Sequence, residues 1–577
     1  MSSLKRLLCC SLILATAILV HSSRNAHGQT SDAKPKLTGS ISGHVTIGGK
    51  AAPGITVAAF GGDTINRRVA AAQSVTDGEG YYRLSGLAPA QYQIGPLTPN
   101  LTTAEPGSFG GYGFVQLGSS KNVFLAANED ADNIDLKLVR GGVITGRITD
   151  SENKPVVEER VSLQFVDENG NPPRTAPAIL PYNGQMYQTD DRGMYRIYGL
   201  PAGHYKVSVG ADTARGVVTY SRRRYFPQMF YPDATDQSKA TVLELAEGGE
   251  VANIDIKVGS AADTFSVTGL VVDSETGLPI SGARIGFMVA VKDPNRMSST
   301  FSGVASDARG EFKLDGFGPG RYGAYLTSDY EGGEFYSDPV YFDVVDKDVS
   351  GVEVKAVHGL SLSGIVESEG LPKKDSAAQL SGLRVSVNVI SGDINRVNAL
   401  TPRSGGSATV MPDGSFQVNG LRPGHVSIGV SASGPNVTRP SIMRIEHDGV
   451  GITQGFEIQP GQSISGLRIV VNYGTGTIRG TVRFEGGSLP IDSRTFVSCK
   501  REGARDGSGA QLDSRGHFVI NGLAPGTYEV TLQLVPPPNP GRPQRPNPPQ
   551  KQFVNVTNDA ESEVTFIVDL RPKEEAP

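Results

Sequence analysis

The residues with the most chemical potential in this chain form a cluster of rings and guanidiniums at 220–231, YSRRRYFPQMFY. Tyr220, Tyr225, Phe226, Phe230 and Tyr231 surround Arg222, Arg223 and Arg224. Aromatic faces beside forked cations stack on sugar rings or capture an acidic polymer. The same rings would also serve to cover the edge of a sheet or a boundary with a neighbouring unit. Both readings stand at this point.

Other constellations are weaker. Metal-assisted hydrolysis needs histidines paired with a carboxylate, as in His-x-x-Glu or His-Glu-x-x-His. His44, His204, His358, His425, His447 and His517 have no Glu at the third following position and no such pairing. Carboxylates gather at Asp77 with Glu79, at Asp190 with Asp191, and at Glu129, Asp130 and Asp132. A calcium loop wants about six to eight oxygens from alternating acids, and these groups are too sparse. They read as turn chemistry and a solvated loop. The run GVSASG at 429–434 lies in a strand pattern and in the wrong register for a nucleophile elbow. GTGTIRG at 474–480 opens a strand, so no helix N-terminus is there to hold phosphate. No catalytic residue, cofactor or metal is expected.

The chain has 577 residues, too many for one core. It opens with Lys5 and Arg6, an apolar run at 7–20 and small residues before Gln29, the pattern of a secretory signal over 1–28. The run is short for a bilayer span, which needs about 20 residues, and no later segment is apolar enough. Losing 1–28 removes Lys5, Arg6 and Arg24 and no acid, so a net charge of −5 becomes −8. An acidic chain of this kind is not expected to bind nucleic acid. Cys499 is the one cysteine left after the leader. A thiol buried in a strand and a disulfide-linked dimer are its two readings, the first favoured.

One sentence occurs five times: at 75–94, 188–207, 305–324, 409–428 and 511–530. Its skeleton is Asp-x-x-Gly-x-aromatic, then Gly-Leu-x-Pro-Gly-x-Tyr. The Gly of the second half falls at Gly86, Gly199, Gly316, Gly420 and Gly522, separated by 113, 117, 104 and 102 residues. That period is one small domain and not a solenoid turn. Apolar residues alternate with polar ones, as at Tyr205, Val207 and Val209, which is the period of half-buried strands. Each copy opens on a strand with a central Gly (SISGHV at 40–45, VITGRI at 143–148, SVTGLV at 266–271, SLSGIV at 361–366, TIRGTV at 477–482), the mark of a bulge or a close backbone approach.

Asp and Gly in the first half suit a tight turn, and the following aromatic (Tyr82, Tyr195, Phe312, Phe416 or Phe518) is expected to point inward. Tyr92, Tyr205, Tyr322 and Tyr528 open the next strand, with the hydroxyl tied back to the backbone. The fourth copy has Val426 there and no Asp three before Gly414, so its first turn is expected to be shorter. Each copy ends on two further strands, such as those within 123–139. The fold class expected is all-β: five tandem antiparallel β-sandwich modules at 39–140, 141–263, 264–358, 359–474 and 475–571. A linker at 29–38 precedes them and a tail at 572–577 follows. PPPNPGRPQRPNPP at 536–549 is expected to be an extended polyproline loop.

These motifs resemble those of carboxypeptidase regulatory-like domains over about residues 39–571. The resemblance implies a transthyretin-like (prealbumin-like) β-sandwich, related to collagen-adhesin B-type repeats and close in fold to starch-binding-like modules. Some B-type repeats carry a Lys–Asn isopeptide crosslink, and that triad has no consistent place in these modules. Such domains occur in adhesins, peptidase accessory domains and outer-membrane receptor extensions. The function expected is a non-catalytic exported protein, secreted, periplasmic or at the cell surface, with an adhesion or spacer role. A carbohydrate-binding protein is the runner-up, with the 220–231 cluster on polysaccharide. An accessory subunit of a peptidase or outer-membrane receptor is the third, with an envelope protein as partner.

Overall fold

The computed structural model describes residues 38–61, 69–103, 120–171, 187–212, 224–289, 298–327, 333–369, 377, 379–390, 403–432, 440–452, 455–487, 494–502, 507–535 and 548–571. The leader at 1–28, residues 536–547 of the proline strip at 536–549 and the tail at 572–577 lie outside these residues, as do Tyr220, Arg222 and Arg223. Among the described residues no helix is long and apolar enough to cross a membrane.

Five separate hydrophobic cores succeed one another along the chain, within 41–138, 144–258, 267–356, 360–473 and 478–568. Each lies between two sheets, so the chain is a string of five β-sandwich modules. In the fifth, one sheet has the order His517–Leu523, Gly476–Glu485, Glu561–Asp569. The facing sheet runs Gly507–Ala510, Arg494–Arg501, Gly526–Val535, Gln550–Val556. Alternation buries one face of each strand, as at Tyr528, Val530, Leu532 and Leu534. The last two strands of a module do not pair as a hairpin. One closes the second sheet, and the other crosses over to lie parallel to the opening strand, in register from Thr477 with Glu561 to Glu485 with Asp569. All other pairs in this module are antiparallel.

The central Gly of each opening strand has a definite cause. Gly43, Gly146, Gly269, Gly364 and Gly480 sit opposite Tyr82, Tyr195, Phe312, Phe416 and Phe518. The ring lies over the space that a side chain would need: a Cβ at Gly480 would fall 1.9 Å from Phe518. On its other flank the closing strand brings a carbonyl close, 2.0 Å from a Cβ at Gly146 in the case of Ile254. Tyr82 and Tyr195 use that same carbonyl, donating their hydroxyls to Ile134 and Ile254 at 2.6 Å. Glycine, ring and bulged carbonyl form one unit.

The first signature turn is closed by its Asp. Asp77 Oδ1 accepts the amides of Glu79 and Tyr81 at 3.0 and 2.9 Å, and Asp190, Asp307 and Asp513 repeat the pattern. Gly80 takes a φ of 79°, which a side chain would resist. The expectation of a shorter turn in the fourth module is corrected by the structure. Met411 donates to the Ser415 carbonyl and Gly414 to the Met411 carbonyl, both at 2.8 Å, closing a turn of the same size. Asp413 caps it instead, accepting the Ser415 amide at 2.9 Å. The backbone makes the turn, and the carboxylate only has to find a nearby amide.

The tyrosine tie forms as expected: Tyr92, Tyr205, Tyr322 and Tyr528 donate to the carbonyls of Ala88, Pro201, Gly318 and Ala524 at 2.8–2.9 Å. Tyr528→Phe is expected to remove about 1 kcal/mol from the fifth module, the worth of one such bond, read as a lower denaturant midpoint at unchanged slope. Cys499 is 1% exposed in the strand Arg494–Arg501, and burial pushes its thiol up to about 11. The buried-thiol reading holds.

Candidate functional site

The described part of the 220–231 cluster is built into the sandwich and its exit. Arg224–Tyr225 pairs antiparallel with Ala262–Asp263, on the segment leading to the third module. Arg224 is exposed, with its guanidinium 3.1 Å from Asp263 and bonded to the Ala261 carbonyl at 2.9 Å. Tyr225 and Phe230 are each 7% exposed. Phe226 and Tyr231 pack against the second core. These rings have their faces inward, and no stacking platform is formed by them. A polysaccharide partner draws no support from them.

The histidines do not converge. His358 meets Asp273 at 3.0 Å, His425 lies 3.3 Å from Glu457, and His517 sits in the fifth module's first turn. Among the described residues no group of three or more His, Cys, Asp or Glu could hold a metal ion. Asp130 accepts from the Ser40 hydroxyl and from Arg83 at 3.1 Å, and these bonds, that of Ser40 first, hold its carboxyl below the usual range.

What the structure does bring together is the surfaces between modules. Gly141 at the head of the second module donates to the Asn100 carbonyl of the first at 3.0 Å, and Gly199 packs under the Pro99 carbonyl. The third and fourth modules meet through Arg422, which fills the variable site of Gly-Leu-x-Pro-Gly. Its side chain is 9% exposed; it bonds Asp338 at 2.6 Å and the Ser337 carbonyl, and lies over the Tyr336 ring at 4.6 Å.

The longest-range contact joins the two ends of the string. The turn Asp513-Ser514-Arg515 of the fifth module sits against the edge strand Lys121–Leu125 of the first. Ser514 N–H donates to the Asn122 carbonyl at 2.9 Å, and the Phe124 amide donates to Asp513 Oδ2 at 3.1 Å. Arg515 reaches the Phe124 carbonyl at 2.5 Å and Glu129 Oε1 at 2.6 Å. Of the four Asp-x-x-Gly turns only this one has a buried Asp: Asp513 is 6% exposed, whereas Asp77, Asp190 and Asp307 are open to solvent. Burial would raise Glu129, yet the Ala126 amide and Arg515 bring its carboxyl net below the ordinary value. Burial depresses His517, with Asp513 and Glu129 pulling the other way.

Both shifts have the same consequence. The docked state prefers neutral His517 and ionised Glu129, so each contributes stability above its ordinary value and loses it as pH falls through the depressed one. Thermal stability of the chain is expected to decline below about pH 6.5 and again below about pH 4.5. His517→Gln is expected to abolish the upper step; a pH series of melting curves with an unchanged upper step would contradict this.

Repetition concealed two features. Thr76, Thr189 and Ser306, each just before the Asp, are buried and donate to the carbonyls of Ala52, Val156 and Ile280 at 2.6–2.7 Å. The recurring hydroxyl was a usable signal. Arg422 carried none, because its position varies freely among copies, and Arg515 carried none, because Arg192 and Arg309 share its position without its contact.

No family model matches the chain, and no curated protein does. Among solved structures it is similar to a Streptococcal ancillary pilin at 14% identity and TM-score 0.23, covering 56% of this chain and 99% of that one. The Bacillus anthracis TIE protein aligns at 10% identity and TM-score 0.16, over 72% and 68% of the two chains. The shaft pilin SpaA from Lactobacillus rhamnosus GG aligns at 15% identity and TM-score 0.16, over 38% and 97%. Likenesses at these scores carry no argument about what the chain does.

Proposed function

We propose that this chain is a non-catalytic exported scaffold, a string of sandwich modules that spaces or binds at the cell exterior. The observation that carries the reading is where the copies differ. Residues common to the repeats close turns and fill cores, whereas Arg422, and Arg515 alone among the three arginines at its turn position, reach out of their own modules to Asp338 and Glu129. Ionic and hydrogen-bonded junctions of this kind favour a defined arrangement of modules over a freely jointed one. Export rests on the leader pattern at 1–28.

Small-angle scattering of the chain lacking 1–28 tests the reading. One arrangement of modules is expected to fit the profile, and a profile that requires independently moving modules would sink a fixed spacer. A glycan array run beside it is expected to stay blank; retention of one glycan class, lost on Arg224→Ala, would move the conclusion to a carbohydrate-binding protein.

A further inference from the structure

The contact between the first and fifth modules joins two different surfaces. The fifth module offers a plug, the 513–515 turn, and the first offers a socket, the edge of Lys121–Leu125 with Glu129 behind it. The plug is common: Asp-x-Arg-Gly also stands at 190–193 and 307–310. The socket belongs to one module. Phe124 holds the position occupied by Glu244, Asp343, Glu457 and Asn555 on the matching strands, where Leu125 aligns with Leu245, Val344, Ile458 and Val556. Glu129, four residues on, stands where the others have Gly249, Asp348, Gln462 and Ala560. An apolar residue on the outer position of an edge strand leaves a surface that invites pairing. Here the plug covers it, meeting the strand's open backbone groups and neutralising the acid.

We infer that this socket is a self-recognition site whose second occupant is the fifth module of another copy of the chain. Plug and socket are unlike surfaces, so the contact is heterologous and can be made within one chain or between two. Reciprocal exchange leaves both contacts intact in a closed pair of chains and costs no bond that the single chain makes. Dilute chains close on themselves, because the tether holds the plug at a high local concentration. Crowded chains compete with that tether and exchange. Glu129 and Arg515 supply the charge complementarity that selects this plug orientation.

Charge reversal tests the inference on the chain lacking 1–28. Glu129→Arg and Arg515→Glu each place like charges in the contact, so each chain alone is expected to be a monomer of enlarged hydrodynamic radius. Mixed in equal amounts they regain opposite charges in both contacts, and the scattering mass is expected to double. The double variant Glu129→Arg/Arg515→Glu is expected to be a monomer more compact than either single variant, short of the wild-type radius because a Glu at 515 cannot donate to the Phe124 carbonyl and stands beside Asp513. A mixture that stays monomeric while the double variant recovers would overturn exchange between copies. A double variant as expanded as either single variant would overturn the pairing itself. Glu129→Lys and Arg515→Asp replace the first variants if either loses its sheet signal in circular dichroism.

Discussion

Phe518→Ala is expected to unfold the fifth module well before the others, with a loss of about 3–5 kcal/mol from that module. The ring is fully buried, stands opposite Gly480 and packs beside Phe566 in the core. Truncation therefore leaves a cavity and also uncovers a glycine strand whose backbone it shields. Gly480→Ala attacks the same unit from the other side. Its Cβ would fall 1.9 Å from the ring, so either the ring or the strand must move, at about 1–3 kcal/mol. The double variant should lose less than the sum of the two, since a small residue opposite the new methyl relieves the overlap. Calorimetry reads this as one transition moving among several, and strict additivity would show that glycine and ring are not coupled.

Arg422→Ala should have the second largest effect, confined to the junction of the third and fourth modules. It removes bonds to Asp338 and to the Ser337 carbonyl and a cation over Tyr336. Asp338 is 80% exposed in its side chain and recovers water. The Ser337 carbonyl loses a charged donor in a buried setting, and the junction is expected to weaken by about 2–3 kcal/mol. Arg422→Lys should recover little, because a single ammonium cannot cover the ring and reach both oxygens at once. A broader distance distribution in scattering, with each module still melting where it did, is the result to look for; unchanged scattering would remove Arg422 from the junction.

The modules were readable because five copies of one pattern average out local noise. Turn residues, inward aromatics and the tyrosine tie each rest on short-range geometry, which sequence spacing reports directly. The parallel pairing of first and last strands was not readable, since period-two alternation is the same for either direction. The Met411 turn shows a second gap: an absent Asp signals an absent side-chain bond, not an absent turn. The 220–231 cluster shows a third. Ring-rich composition says that a surface is covered, and Tyr225 and Phe230 are covered by their own module. The contact of 513–515 with 121–129 lies at the far limit, because nothing local relates residues almost 400 positions apart, as the separation of 391 between Arg515 and Phe124 shows.

The parallel registration of each module's first and last strands also decides how the string would respond to being pulled. A chain that enters and leaves along parallel neighbours carries tension along both strands in opposite directions. The hydrogen bonds between Gly476–Glu485 and Glu561–Asp569 are then loaded side by side and share the force, where a hairpin would unzip bond by bond. Forced unfolding is set by the barrier to that concerted rupture. Each module is a link loaded in shear, and the polar contact between the ends is a clasp that must open before the second, third and fourth links are strained.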